Sequence, residues 1–151
     1  MRPWLISALT LAADQLTKYL IVQFLMPGAS IPLLPPALSL THVQNTGAAF
    51  GLFKGQQWLF IGMSVVVIAW LARELMAKPS MARSLQWACA LVLGGALGNL
   101  IDRLRFNFVV DFLDCHVWPV FNVGDSAITI GVMWLILHNL FDARRHVTRD
   151  T

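Results

Sequence analysis

Four long apolar stretches, broken by three polar intervals, set the pattern of this chain. They predict helices over about 4–25, 58–76, 85–104 and 123–142, each close to the roughly 20 residues needed to cross the hydrocarbon of a bilayer. The intervals follow a different period. Ala37–Val43, A-L-S-L-T-H-V, alternates every second residue as a half-buried strand does. Arg105–Asp114 and Val117–Phe121 are rich in aromatic and β-branched residues, with Pro119 marking an edge. Pro32, Pro35 and Pro36 give a stiff approach to the first strand. The expected architecture is an all-α membrane protein of four transmembrane helices, one domain over 1–151, with a small β-sheet platform on one face.

Composition agrees with lipid as the solvent. Of 151 residues, 57% are hydrophobic and 13% charged, more apolar surface than a soluble domain of this size buries. The net charge of +3 forms no nucleic-acid-binding stripe; the basic residues fall between the apolar runs. Arg2, Arg73, Lys78, Arg83, Arg144, Arg145 and Arg149 lie on one side of the predicted spans, against Lys54, Arg103 and Arg105 at or beyond the other. The positive-inside rule then places both termini and the middle loop in the cytoplasm. The segments of about 26–57 and 105–122, and with them the sheet, are placed outside. Arg2 with the apolar Trp4–Ala13 also has the form of a cleaved signal peptide. The apolar run resumes at Tyr19, however, and losing that span would disturb the charge pattern.

Polar groups in or beside the spans are the candidate chemistry. Asp14 and Lys18 stand one helical turn apart, the favourable order for an ion pair, which serves a site or simply tethers helices. Asn99 and Arg103 share a helix face, with Asp102 beside them and Gly94, Gly95 and Gly98 offering close approach; Arg103 alone also fits an interfacial snorkelling residue. Asn45 opens N-T-G-A-A-F-G, an ordinary turn when taken alone. Asp111 and Asp125 are fourteen positions apart, close enough for a hairpin to return one to the other. Two carboxylates that meet share a proton, activate water and protonate a leaving amine. Charged hairpin ends and a cation-coupled transport site are the alternatives, along with a structural subunit without chemistry. An intramembrane protease with a Gly-x-Gly-Asp loop would need glycine where Asn122 stands. The histidines, His42, His116, His138 and His146, are scattered without metal-ligand spacing, although Asp111, His116 and Asp125 can be drawn as a ligand set. Cys89 and Cys115 read as packing residues.

Together D-Q-L-T-K (Asp14–Lys18), Q-N-T-G-A-A-F-G (Gln44–Gly51), G-G-A-L-G-N-L-I-D-R (Gly94–Arg103), V-V-D-F (Val109–Phe112) and F-N-V-G-D-S (Phe121–Ser126) resemble the bacterial lipoprotein signal peptidases, or signal peptidase II, over nearly the whole chain. The resemblance implies an aspartic endopeptidase of the bacterial cytoplasmic membrane that removes signal peptides from diacylglyceryl-modified prolipoproteins, cutting just before the lipidated cysteine. It implies a catalytic pair at Asp111 and Asp125, and supporting or substrate-binding positions at Asp14, Lys18, Asn45, Asn99, Arg103 and Asn122. Asp14 and Lys18 are expected to brace the first outer segment against the bundle. No metal or organic cofactor is implied, and the cyclic peptide globomycin is an expected inhibitor. Two departures stand out: a short stretch between the two aspartates, and Gly124 where alanine is common in the family.

Overall fold

The computed structural model describes residues 2–47 and 55–147, with side chains as far as Phe141. Lys54, Arg149 and the second half of the Gln44–Gly51 motif lie outside the described residues. The order of elements is α1 (Pro3–Phe24), β1 (Ser30–Leu34), β2 (Leu38–Asn45), α2 (Gln57–Ala77), α3 (Arg83–Phe106), β3 (Val109–Asp114) and α4 (Val123–Val147). All four helices contain a span long and apolar enough to cross a membrane, as the sequence pattern predicts.

Helix α3 is the central element and packs against each of the other three. Its buried residues include Ala88, Ala90, Gly94, Gly95, Ala96 and Gly98, and such small side chains bring helix backbones together where lipid supplies no hydrophobic drive. Leu71 and Leu75 of α2 pack with Cys89, Val92 and Leu93 of α3. Helix α1 is polar inside and apolar outside. Ser7, Asp14, Lys18 and Ile21 are buried, while Leu5, Leu9, Leu16 and Leu20 face outward. Hydrocarbon accepts the outward leucines and leaves the interior to groups that pair with one another.

The sheet is antiparallel with order β1-β2-β3. Strand β2 covers the predicted alternating segment. Strand β1 was not predicted as a strand. Ser30–Leu34 holds Pro32 on an exposed edge, the position a sheet allows to a residue with no N–H to donate. The Arg105–Asp114 segment divides differently from expectation. Helix α3 continues through Phe106, ends at Asn107 in the left-handed region (φ 60°), and only then gives way to β3. Val117–Phe121 forms no full strand; a single bridge joins Phe121 to Leu113. The sheet is fastened to the end of α1 through His42, whose Nδ1 lies 2.7 Å from the carbonyl of Leu25.

Candidate active site

Helix α4 begins in a reciprocal cap. The Asp125 N–H donates to Asn122 Oδ1 at 2.8 Å, and the Asn122 N–H approaches Asp125 Oδ2 at 3.3 Å. This satisfies two backbone groups at the helix start. It also fixes Asp125 at the positive end of the helix dipole, where a carboxylate is favoured. Asp111 comes from the middle of β3 and is 1% exposed. Asn122, itself fully buried, joins the two aspartates: its Nδ2 donates to Asp111 Oδ1 at 2.6 Å. Asn45 donates to the other oxygen of Asp111 at 2.8 Å, and Asn99 donates to Asp125 Oδ1 at 2.8 Å. Each carboxylate oxygen thus receives one N–H.

These contacts have electrostatic consequences. Burial, and then the neighbouring Asp125 carboxylate, push the Asp111 carboxyl up to about 7, against the opposing pull of the Asn45 and Asn122 amides. Such a group holds its proton in a substantial fraction of molecules at neutral pH and can donate it.

A second layer lies behind the aspartates. Lys18 Nζ contacts Asp14 Oδ2 at 2.9 Å, Asp102 Oδ2 at 3.0 Å and Asn99 Oδ1 at 2.8 Å. Asp14 Oδ1 accepts the Gly124 N–H at 2.7 Å, and Asp102 Oδ2 accepts the Val110 N–H at 3.1 Å. Asp14 and Lys18 therefore join α1 to α3 and α4 rather than bracing the segment that follows α1. Two glycines make room for this layer. A Cβ on Gly98 would overlap the Asp14 carboxylate, and one on Gly124 would come within 2.9 Å of Asp14 Oδ1. Gly98→Ala is expected to destabilise the protein by about 1–3 kcal/mol, as overpacking does. Thermal unfolding in detergent measures the loss, and an unchanged midpoint would show that Asp14 can move aside freely.

Asp111 and Asp125 open onto a cleft of about 200 Å³ lined also by Asn45, Asn99, Arg103, Trp118 and Phe121. The Arg103 guanidinium stacks over Phe60 of α2, 5.1 Å from the ring centre. A second, larger groove of about 420 Å³ adjoins the cleft, sharing Trp118, Phe121 and Asp125, and continues along Ser126, Thr129 and Ile130 of α4. The structure thus gathers all eight sequence-predicted residues into the aspartate pair, the cleft beside it and the layer behind. Three participants were not predicted. Gln15 donates to Asp102 Oδ1 at 3.0 Å and to the Gly98 carbonyl at 3.2 Å; its place inside D-Q-L-T-K was the available signal. Trp118, read only as a strand residue, and Phe121, read as a strand residue and as the first position of F-N-V-G-D-S, form the cleft wall. His116 turns to a separate cluster instead of joining the aspartates. Its Nε2 lies 3.1 Å from Ser39 Oγ and its Nδ1 3.4 Å from Asp114 Oδ1. The His116 backbone N–H and the Thr41 hydroxyl hold the Asp114 carboxyl below its ordinary range.

Fold and cleft define a class: a multi-pass membrane protein with paired carboxylates at the end of its helix bundle that carries the sheet. The profile of the family described as signal peptidase (SPase) II matches residues 6–141. A lipoprotein signal peptidase of Moorella thermoacetica is 46% identical over 139 residues, covering 92% of this chain and 93% of that one. One from Brevibacillus brevis is 43% identical over 145 residues, covering 95% and 97%. A bacterial membrane enzyme solved in meso at 2.3 Å superposes with a TM-score of 0.89 at 34% identity, covering 93% of this chain and 88% of that one. The chain belongs to the signal peptidase II family. It is accordingly a peptidase and a multi-pass protein of a bacterial membrane.

Proposed function

We propose that this protein is an aspartic endopeptidase that removes the signal peptide from diacylglyceryl-modified prolipoproteins, cutting just before the lipidated cysteine. The observation that carries the reading is the pair Asp111 and Asp125, delivered by different elements, linked through Asn122 and opening on one cleft. The names of the relatives supply the substrate class. In the proposed reaction a water sits between the two carboxyls. Asp125 takes its proton as the oxygen attacks the scissile carbonyl; Asp111 then gives its own proton to the departing amine as the C–N bond breaks. Asn45 and Arg103 face the cleft, where they hold the substrate backbone, and Asn99 and Asn122 hold the carboxylates.

The two adjoining cavities suit a substrate that is half peptide and half lipid. The cleft carries most of the polar groups, and the groove along α4 continues towards residues that face hydrocarbon. The positive-inside pattern puts the termini in the cytoplasm and the cleft near the outer face of the cytoplasmic membrane. Globomycin, a cyclic peptide, is proposed to compete for the cleft. The test is purified protein with a lipidated precursor and its unlipidated form, read by mass spectrometry with and without globomycin. Cleavage before the lipidated cysteine, blocked by globomycin, is expected. Equal rates for the two precursors would overturn the lipid requirement.

The Asp111 environment predicts a pH dependence. If the protonated carboxyl is the working acid, it is present below a pKa of about 7 and lost above it. The rate of cleavage should be sustained at mildly acid pH and fall about tenfold per unit on the alkaline side. A rate that climbs steadily from pH 7 to 9 would contradict Asp111 as the proton donor.

A further inference from the structure

The ammonium of Lys18 is used completely. It has three N–H donors and meets three acceptors, on Asp14, Asp102 and Asn99, at 2.9, 3.0 and 2.8 Å. Lys18 and Asn99 are 3% and 5% exposed, so water does not compete for these bonds. A tether between helices needs only the two carboxylates. The third N–H goes to Asn99 Oδ1, and the other end of the same amide donates to Asp125 Oδ1. The direction of that amide is fixed. Its oxygen faces Lys18, which cannot accept, and also receives Asn122 Nδ2 at 3.1 Å. Turning it over would set N–H against two donors and leave Asp125 facing an oxygen.

We infer that Lys18 is a positioning residue of the proposed catalytic pair: through Asn99 it holds Asp125 as the charged, proton-accepting member. The inference rests on the dyad reading given above. Two further features act in the same direction. Asp125 stands in the first turn of α4, facing the helix dipole, whereas Asp111 sits in a strand without such a field. Asp111, more deeply buried, is left as the proton carrier. The charged groups that face Asp125 are Asp14 and Lys18 from α1, Arg103 from α3 and Asp111 from β3, with Asp102 of α3 on the far side of Lys18. Among them Lys18 is the cation wired to Asp125 through a single amide.

The test is the pH profile of kcat/KM for Lys18→Met and Asn99→Ser with a lipidated precursor. The acid limb reports the pair's loss of its accepting carboxylate. Without Lys18 it should move to higher pH by on the order of one unit, because a cation near a carboxylate in a poorly solvated site stabilises the charged form on that scale. Near the old limb the rate should drop about tenfold, while at the profile's maximum it should change much less. Asn99→Ser leaves Lys18 paired with Asp14 and Asp102, so it keeps the ion pairs of the fold and decides the matter even if Lys18→Met does not fold. It should move the same limb in the same direction. Where Lys18→Met folds, adding it to Asn99→Ser should shift the limb little further. A uniform loss of rate in Asn99→Ser, with both limbs in place, would reduce Lys18 to a tether and overturn the inference. Full turnover by Asp111→Asn or Asp125→Asn would instead defeat the dyad reading itself, so the two failures are distinguishable.

Discussion

Asp111→Asn and Asp125→Asn are each expected to lower prolipoprotein cleavage by at least about a thousandfold, within the range that a positioned acid or base contributes. The substitutions preserve shape and remove the chemistry. In Asp125→Asn the new carboxamide oxygen can accept one of the two N–H groups now pointing at the carboxylate, from Asn99 or from the Asn122 backbone, but the new NH2 then faces the other. Asp111→Asn meets the same conflict between Asn45 and Asn122. Asn45 does not relieve it without cost, because its own oxygen accepts the Gly47 N–H at 2.9 Å. One unsatisfied buried donor costs about 1–3 kcal/mol, so both variants should remain folded, with somewhat lower unfolding midpoints. Cleavage of a lipidated precursor, followed by mass alongside unfolding in the same detergent, separates the two effects. Substantial turnover in either variant would remove that carboxyl from the mechanism.

How much of this was legible beforehand depended on the physics behind each signal. The spans were legible because lipid imposes a length and a composition on any helix that crosses it. Strand β2 was legible because its two faces differ. Strand β1 was not, since both faces of S-I-P-L-L are exposed and no alternation is required of it. The residues of the site were visible as polar groups in apolar surroundings, but their partners were not. Asp14 pairs with Lys18 four positions on, which sequence spacing reveals. It also caps α4 through Gly124, 110 residues away, and spacing carries nothing about that. Asn122 stands three positions before Asp125 within F-N-V-G-D-S, where the resemblance marks it as a supporting position. Its reciprocal cap with Asp125 is local and has a sequence form; its bond to Asp111 depends on how β3 is laid against α3 and α4.

Asp14→Ala is expected to be the most destabilising substitution in this layer, by about 3–5 kcal/mol, the cost of removing one member of a buried ion pair. Three things are lost together. Lys18 keeps Asp102 and Asn99 but has an unpaired N–H. The Gly124 N–H at the start of α4 loses its acceptor, and an orphaned buried donor contributes about 1–3 kcal/mol of that total. A void also opens against Gly98, whose missing side chain makes space for the Asp14 carboxylate. Asp14→Asn should recover part of the loss, since its carboxamide oxygen can still accept from Gly124, while its NH2 cannot serve Lys18. Unfolding in detergent should therefore rank the proteins as wild type, then Asp14→Asn, then Asp14→Ala. The ranking matters for the site because Gly124 directly precedes Asp125. When α4 loses the acceptor at its second residue, the cap that aims Asp125 at the cleft loosens, and cleavage should fall alongside stability. Equal midpoints for Asp14→Ala and wild type would mean that α1 is held to α3 and α4 by apolar contacts alone, with its buried charges free of structural work.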